Sequence, residues 1–185
     1  KLDIILVPTA TIIVGGLAAV LCSPAVNALM NLLRDFIDTA TRMQPIPMGV
    51  IVSVVVGLAL TAPISSAALC AMIFVAPEGT ELGLGLQLAA GAATVGCCAQ
   101  MVGFAVMSFR ENRWGGLISQ GLGTSMLQMG NIVRNPRIWI APTLTSAITG
   151  PLATCVFHLE MNGAPVSSGM GTCGLVGQIG VYTGW

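Results

Sequence analysis

The sequence predicts an all-α integral membrane protein, a polytopic helical bundle with broken helices and re-entrant segments. The first reason is the sparseness of charge. Hydrophobic residues make up 55% of the chain and charged residues 8%, against roughly 25% charged in soluble domains. The second is segregation. Uncharged runs extend from Ile4 to Leu33, Met43 to Pro77, Leu82 to Phe109, Trp114 to Val133 and Ile138 to Leu159. About 20 apolar residues span a hydrocarbon core, and a charge at its centre costs about 2.5 to 3.5 kcal/mol. The third concerns re-entry. Arg110 and Arg113 precede Trp114–Val133, and Arg134 and Arg137 follow it. A single crossing would put one arginine pair on the side that cytoplasmic loops, rich in Lys and Arg, do not occupy. A segment that dips in and returns keeps both pairs together.

Composition also excludes classes. The net charge is zero, so nothing favours nucleic acid as a partner. The six cysteines, Cys22, Cys70, Cys97, Cys98, Cys155 and Cys173, include no CxxC spacing. They read as small buried hydrophobes. No metal and no cofactor is expected. The chain opens on Lys1 without a signal-peptide pattern, and residues 1–185 read as one membrane domain, trimmed at both ends.

Ile4–Cys22 reads as a first membrane helix, with Gly15–Gly16 as a packing notch and Pro24 ending it. In Ala25–Met43, apolar Val26, Leu29, Met30, Leu33, Ile37 and Ala40 follow helical spacing, with Arg34, Asp35, Asp38 and Arg42 opposite. That pattern fits an interfacial amphipathic helix or a connector packed on other helices. Ile46–Pro77 is too long for one straight crossing. Pro63 lies near its middle, lacks a backbone donor and clashes with the preceding turn. Two half-helices meeting at this break are expected. The alternative is a proline kink patched by Thr61 and Ser65. Glu78 and Glu81 mark an external loop.

Leu82–Phe109 is the next crossing. Its pairs Ala92/Gly96 and Ala99/Gly103 allow close helix contact. In Trp114–Val133, Gln120, Thr124, Gln128 and Asn131 would share one helical face and Ile118, Leu122, Met126, Met129 and Val133 the other. Such amides either bond neighbouring helices or read the hydroxyls of a ligand, since lipid cannot satisfy them. Ile138–Leu159 contains Pro142 and Pro151, whose freed carbonyls Thr143, Thr145, Ser146, Thr149 and Thr154 could bond. In the tail, Gly169, Gly171 and Gly174 form a GxGxxG. It lacks strand–turn–helix context and reads as a second re-entrant or tightly packed segment.

Polar residues thus gather at helix breaks. The candidate solute-binding residues are Ser65, Ser66, Gln100, Gln120, Thr124, Gln128, Asn131, His158 and Glu160. The site would form where the Pro63 break, the Gln120–Asn131 stripe and the Gly-rich tail converge. His158 and Glu160 are the sole His–carboxylate cluster, and alternate positions do not share a helical face. They belong on a loop or a broken helix end, as a proton relay, a hydroxyl ligand or an anchor for the tail. No catalytic arrangement is present, so the chain is not expected to be an enzyme.

The strings PISSAAL, AAGAATVGCCAQMVGFAVMSFREN, GGLISQGLGTSMLQMGNIVRNPRIWIAPTLTSAITGPLATCVFHLE and GMGTCGLVGQIG resemble the phosphotransferase-system IIC-like membrane permeases, a family that takes in perfringolysin regulator PfoR-like proteins. The resemblance covers Leu2 to Gly180. It implies a multi-pass protein of the bacterial cytoplasmic (inner) membrane, with further helices upstream, so that residues 1–185 are the later portion of a longer permease. It implies a small polar, sugar-like solute, IIA- and IIB-type partner proteins that supply any phosphotransfer, and a homo-oligomer, a dimer. It also implies a sugar-binding Glu and His near re-entrant hairpins, for which Glu160 and His158 are the comparable pair. The regulator grouping and the lack of a IIB domain leave a membrane sensor without transport as an alternative. Met-rich, Gly-notched helices leave a lipid- or fatty-acid-binding protein as another.

Overall fold

The computed structural model describes residues 3–75 and 82–184. These are helical, with no strand among them. The Glu78/Glu81 loop of the sequence reading lies outside them. The chain divides into two units, residues 1–33 and 34–185.

The first unit is helical, part of α1 (Asp3–Met43). Val7, Ile12, Ile13, Val14, Leu17, Val20 and Leu21 all lie exposed. Two expectations fail here. The helix does not end at Pro24, which sits inside it together with Pro8. A proline removes only one backbone bond, and the apolar run on both sides keeps the rest. A Cβ on Gly15 or Gly16 would meet nothing within 4 Å among the described residues. Cys22 is exposed rather than buried.

The second unit has a core of small residues. α2 (Pro45–Thr61) carries two prolines in its first turn, where their missing N–H groups cost nothing. It packs on α4 (Leu84–Ile118) and α6 (Ile140–Pro151). A Cβ on Gly96 would lie 2.1 Å from the Ser53 carbonyl oxygen. Ser53 Oγ donates to Ser146 O at 2.8 Å, and Ser146 Oγ to Gly96 O at 3.2 Å. Gly57 faces Gly96 and Gln100, while Gly49 faces Gly150. These pairs run α2 parallel to α4 and antiparallel to α6. The small residues of α4 thus serve contacts inside the chain: a Cβ on Gly103 would lie 3.1 Å from the Pro142 side chain.

The expected break in Ile46–Pro77 is present. α2 ends at Thr61, and α3 (Ser66–Ile73) begins after Pro63, with Ser65 as its N-cap accepting from Ala68 N at 3.2 Å. α3 then returns toward residues 34–43 of α1. Arg34 donates through Nε to Ile73 O at 3.1 Å and through Nη2 to Met72 O at 2.9 Å, placing a cation on the negative end of α3. Asp38 Oδ1 accepts from Leu86 N at 3.0 Å, capping the start of α4, and pairs with Arg42 at 3.0 Å. Of the two readings of this stretch, residues 34–43 are the connector packed on other helices, with Ile37 and Ala40 against the core. Asp38→Ala should therefore lower stability by about 1 kcal/mol, the usual worth of an N-cap, read as a lower melting temperature in detergent. An unchanged melting curve would remove the cap from the account.

α4 carries a break that its uncharged run did not announce. Arg113 has φ 52° and ψ −143°, and beyond it the chain folds back along α4. The following residues do not form one helix. A π-helical turn covers Ser119–Gly123, Thr124 is extended at φ −156° and ψ 138°, a 3₁₀ turn covers Ser125–Gln128, and α5 runs from Met129 to Arg134. After a 3₁₀ turn at Pro136–Trp139 comes α6. Pro142 falls in its first turns and breaks nothing. Pro151 marks its change into a π-helical turn, Leu152–Val156. The hydroxyls here bond carbonyls other than those the prolines free. Thr143 takes Trp139 O, Thr145 takes Ala141 O, and Thr154 crosses to Pro45 O.

The tail is a second turned-back segment. α7 (Pro165–Ser168) leads in, Gly171 and Gly174 both sit at φ +54°, Leu175 follows at φ 59°, and α8 (Val176–Thr183) leads out. The Gly171 position is forced twice. Its left-handed backbone suits glycine, and a Cβ would lie 2.7 Å from the Cys97 backbone. Gly180 returns against Ser167, and Gly184 against Asn162 and Gly163.

Candidate functional site

The polar residues just before Trp114–Val133 and the C-terminal end of that segment line one cavity. It measures about 410 Å³, within the roughly 300–1,000 Å³ range of small-molecule sites. Ser108, Glu111 and Asn112 of α4 form one wall. Gln128, Asn131, Arg134 and Asn135 form the other, with Phe104 alongside. One acid and one base balance in charge, four amides and a hydroxyl supply the other polar groups, and Phe104, Met107 and Ile138 are apolar. Such a lining suits a neutral polar solute rather than an ion.

The amides are ordered. Ser108 Oγ accepts from Asn112 Nδ2 at 2.8 Å and from Gln120 Nε2 at 2.9 Å. Gln120 is 4% exposed, and its Oε1 is buried without a partner. Gln128 Oε1 accepts from Asn131 Nδ2 at 2.8 Å. Gln100, two turns before Ser108 on α4, donates to Thr143 Oγ1 at 3.4 Å, and its buried Oε1 is also unpartnered. An unsatisfied buried acceptor costs about 1–3 kcal/mol.

Away from the cavity, three turned-back segments meet. Thr61 Oγ1 and Ser125 Oγ are 3.1 Å apart. Ser66 Oγ donates to Gly169 O at 2.6 Å, and Thr172 Oγ1 to Gly121 O. The Pro63 break, the 114–134 segment and the Gly-rich tail therefore do converge. Ser66 is spent on that junction, and Ser65 on its cap.

The predicted stripe is corrected. Gln120, Thr124, Gln128 and Asn131 do not share a helical face, because Thr124 is extended and caps the next turn through Met126 N at 3.2 Å. Gln120 turns back to Ser108, whereas Gln128 and Asn131 look into the cavity from the far arm. His158 and Glu160 stand apart. They lie on the loop after Val156, His158 exposed at φ 44° and Glu160 half-buried. There Met161 N donates to Gln87 O at 3.2 Å and Leu159 O seats on Gly91. At roughly 1.5 Å rise per residue, Gly91 and Ser108 are about 25 Å apart along α4. No small solute touches both places at once.

A family model described as phosphotransferase system, EIIC, matches residues 1–185. The chain belongs to the phosphotransferase system EIIC family. Membership makes it membrane-embedded and supports a role as a sugar-transport component that cooperates with IIA and IIB components. No curated protein and no solved structure matches it. Two of the described helices, Val7–Met43 and Leu84–Gly123, are long and apolar enough to cross a membrane. In this EIIC chain the cavity residues that the sequence reading missed are Ser108, Glu111, Asn112, Arg134 and Asn135. Their signal was the polar clusters SFREN and RNPR, read only as topology markers.

Proposed function

We propose that this chain is a carrier in the bacterial cytoplasmic membrane for a small, uncharged, sugar-like solute. The observation that carries the reading is the cavity between the residues that precede Trp114–Val133 and the end of that segment, with four amides and a hydroxyl in its lining. In this reading the segment dips into the bilayer from the cytoplasmic face, where the arginine pairs lie. The α2–α3 pair and the tail dip from the opposite face. Their junction at Thr61–Ser125 and Thr172–Gly121 occupies the depth where irregular backbone is tolerated only inside protein or against a wet cavity. The Ser108 cavity is then the cytoplasmic mouth of the path, and His158 with Glu160 stands at the outer one. The chain performs no chemistry itself, and phosphotransfer, where it occurs, is the work of IIA- and IIB-type partners. A homodimer rests on family resemblance alone, because Gly96 and Gly103 are already occupied within the chain.

Uptake by proteoliposomes of a tritiated panel (D-glucose, D-fructose and D-mannitol) tests the site. Gln128→Ala combined with Asn131→Ala should cut initial uptake about thirtyfold, two amides each contributing about 1 kcal/mol. Wild-type uptake by that variant would move the site elsewhere.

A further inference from the structure

We infer that the turn at Arg110–Trp114 and the apolar groove beside it hold one anionic phospholipid, its phosphate on the arginines and an acyl chain in the groove. This goes beyond the carrier reading and requires no transport. The groove measures about 280 Å³ and uses a face of α4 that the solute cavity does not. Val102 and Val106 of α4 form one side, Leu117, Ile118 and Leu122 of the returning segment form the other, and Leu175 comes from the tail. The one polar side chain of the lining, Thr172, donates to Gly121 O, so no side chain there is left over for a polar occupant. Both sides of the groove lead to the same turn. Arg110 lies one helical turn past Val106, and Trp114 one turn before Ile118. At roughly 1.5 Å rise per residue, Val102 is about 12 Å from Arg110 along α4, so the groove runs inward from the turn. There Arg110 and Arg113 are exposed and enter no ion pair among the described residues. Phe109 and Trp114 pack edge to face at 5.6 Å, with Trp114 69% exposed. Cations beside an exposed tryptophan are the pattern of a bilayer interface, and on the cytoplasmic side such cations attract anionic headgroups. Charge decides the occupant. A zwitterionic lipid offers the groove the same chain but sets an ammonium group near the arginines, and an apolar protein helix brings no anion.

The test is native mass spectrometry of the full chain in detergent, titrated with dioleoyl phosphatidylglycerol and with dioleoyl phosphatidylcholine. The first phosphatidylglycerol should bind about thirtyfold tighter than the first phosphatidylcholine, about fivefold from each arginine. Glycerol phosphate, which carries the anion without the chains, should not compete at the same concentrations. Arg110→Gln combined with Arg113→Gln should abolish the preference and leave phosphatidylcholine binding unmoved. Arg137→Gln, an exposed arginine outside the groove lining, should leave both lipids as in wild type. Val106→Trp, which fills the groove from an exposed position, should weaken both lipids roughly tenfold, the effect of excluding about two methylenes. Leu122→Trp is the second filling variant should Val106→Trp not elute as a single folded species. Equal binding of the two lipids by wild type, competition by glycerol phosphate, an Arg137→Gln loss as large as that of the double variant, or filled grooves that bind as wild type would each overturn the inference. Each of these outcomes leaves the carrier reading standing, because none of them measures uptake.

Discussion

Gly96→Leu is expected to separate α2 from α4 and unfold the second unit at temperatures where the wild-type protein is intact. A Cβ there would fall 2.1 Å from the Ser53 carbonyl oxygen and 2.6 Å from its carbonyl carbon. Both are backbone atoms of a helix, so no rotamer change relieves the clash. Ser53 also bonds Ser146, whose hydroxyl bonds Gly96 O, so displacing α2 breaks polar contacts that lipid cannot replace. Overpacking alone costs about 1–3 kcal/mol. With the serine bonds lost as well, a loss of about 4 kcal/mol is expected. Thermal melting in detergent measures it, with Gly130→Ala as the control, since nothing lies within 4 Å of a Cβ at that position. A Gly96→Leu protein that melts with wild type would mean that α2 and α4 are not seated on each other as described.

The contrast between Pro63 and Pro24 shows what could be read from sequence. At Pro63, a helix-breaking ring is followed by Ser65, which caps the next helix. Break and restart are both local, so both were legible. At Pro24 the preceding Ser23 offers a start signal as well, yet the helix runs through it. A proline by itself does not distinguish a stop from a tolerated defect, because the choice depends on what packs around it. The turn at Arg113 was legible only indirectly. Nothing in the residue announces φ 52°, yet the arginine pairs on either side of Trp114–Val133 required the chain to come back.

The candidate site was partly legible for the same reason. Polarity inside an apolar run marked Gln120, Gln128 and Asn131, and these do gather near the cavity. Assuming one continuous helix placed them on a common stripe, which the extended Thr124 breaks. Ser108 and Asn112 went unmarked because they stand beside Arg110 and Arg113, where polar residues normally meet water. Their spacing of four was the available clue, since it lets Asn112 reach back to Ser108. His158 with Glu160 was marked by chemistry alone, and chemistry does not report distance.

Asn112→Cys and Asn135→Cys should react with a membrane-impermeant maleimide from the same face of sealed, oriented vesicles, in a background where Cys22, Cys98, Cys155 and Cys173 are replaced by serine. Both asparagines line one cavity, although the segment between them is long enough to cross a bilayer. A crossing segment would put them on opposite faces, so the result is all-or-none: each labelled at once from the cytoplasmic side, and each protected from the other until the vesicles are opened. The fold makes this a demanding test. The segment leaves at Arg113, turns at Thr124 and comes back to Arg134, so a single crossing would require its two arms to part and the Gln120–Ser108 bond to break. Labelling from opposite faces would therefore remove the cavity and the cytoplasmic mouth together. Labelling from one face would leave the dipping segment as the only arrangement that keeps all four arginines on a single side.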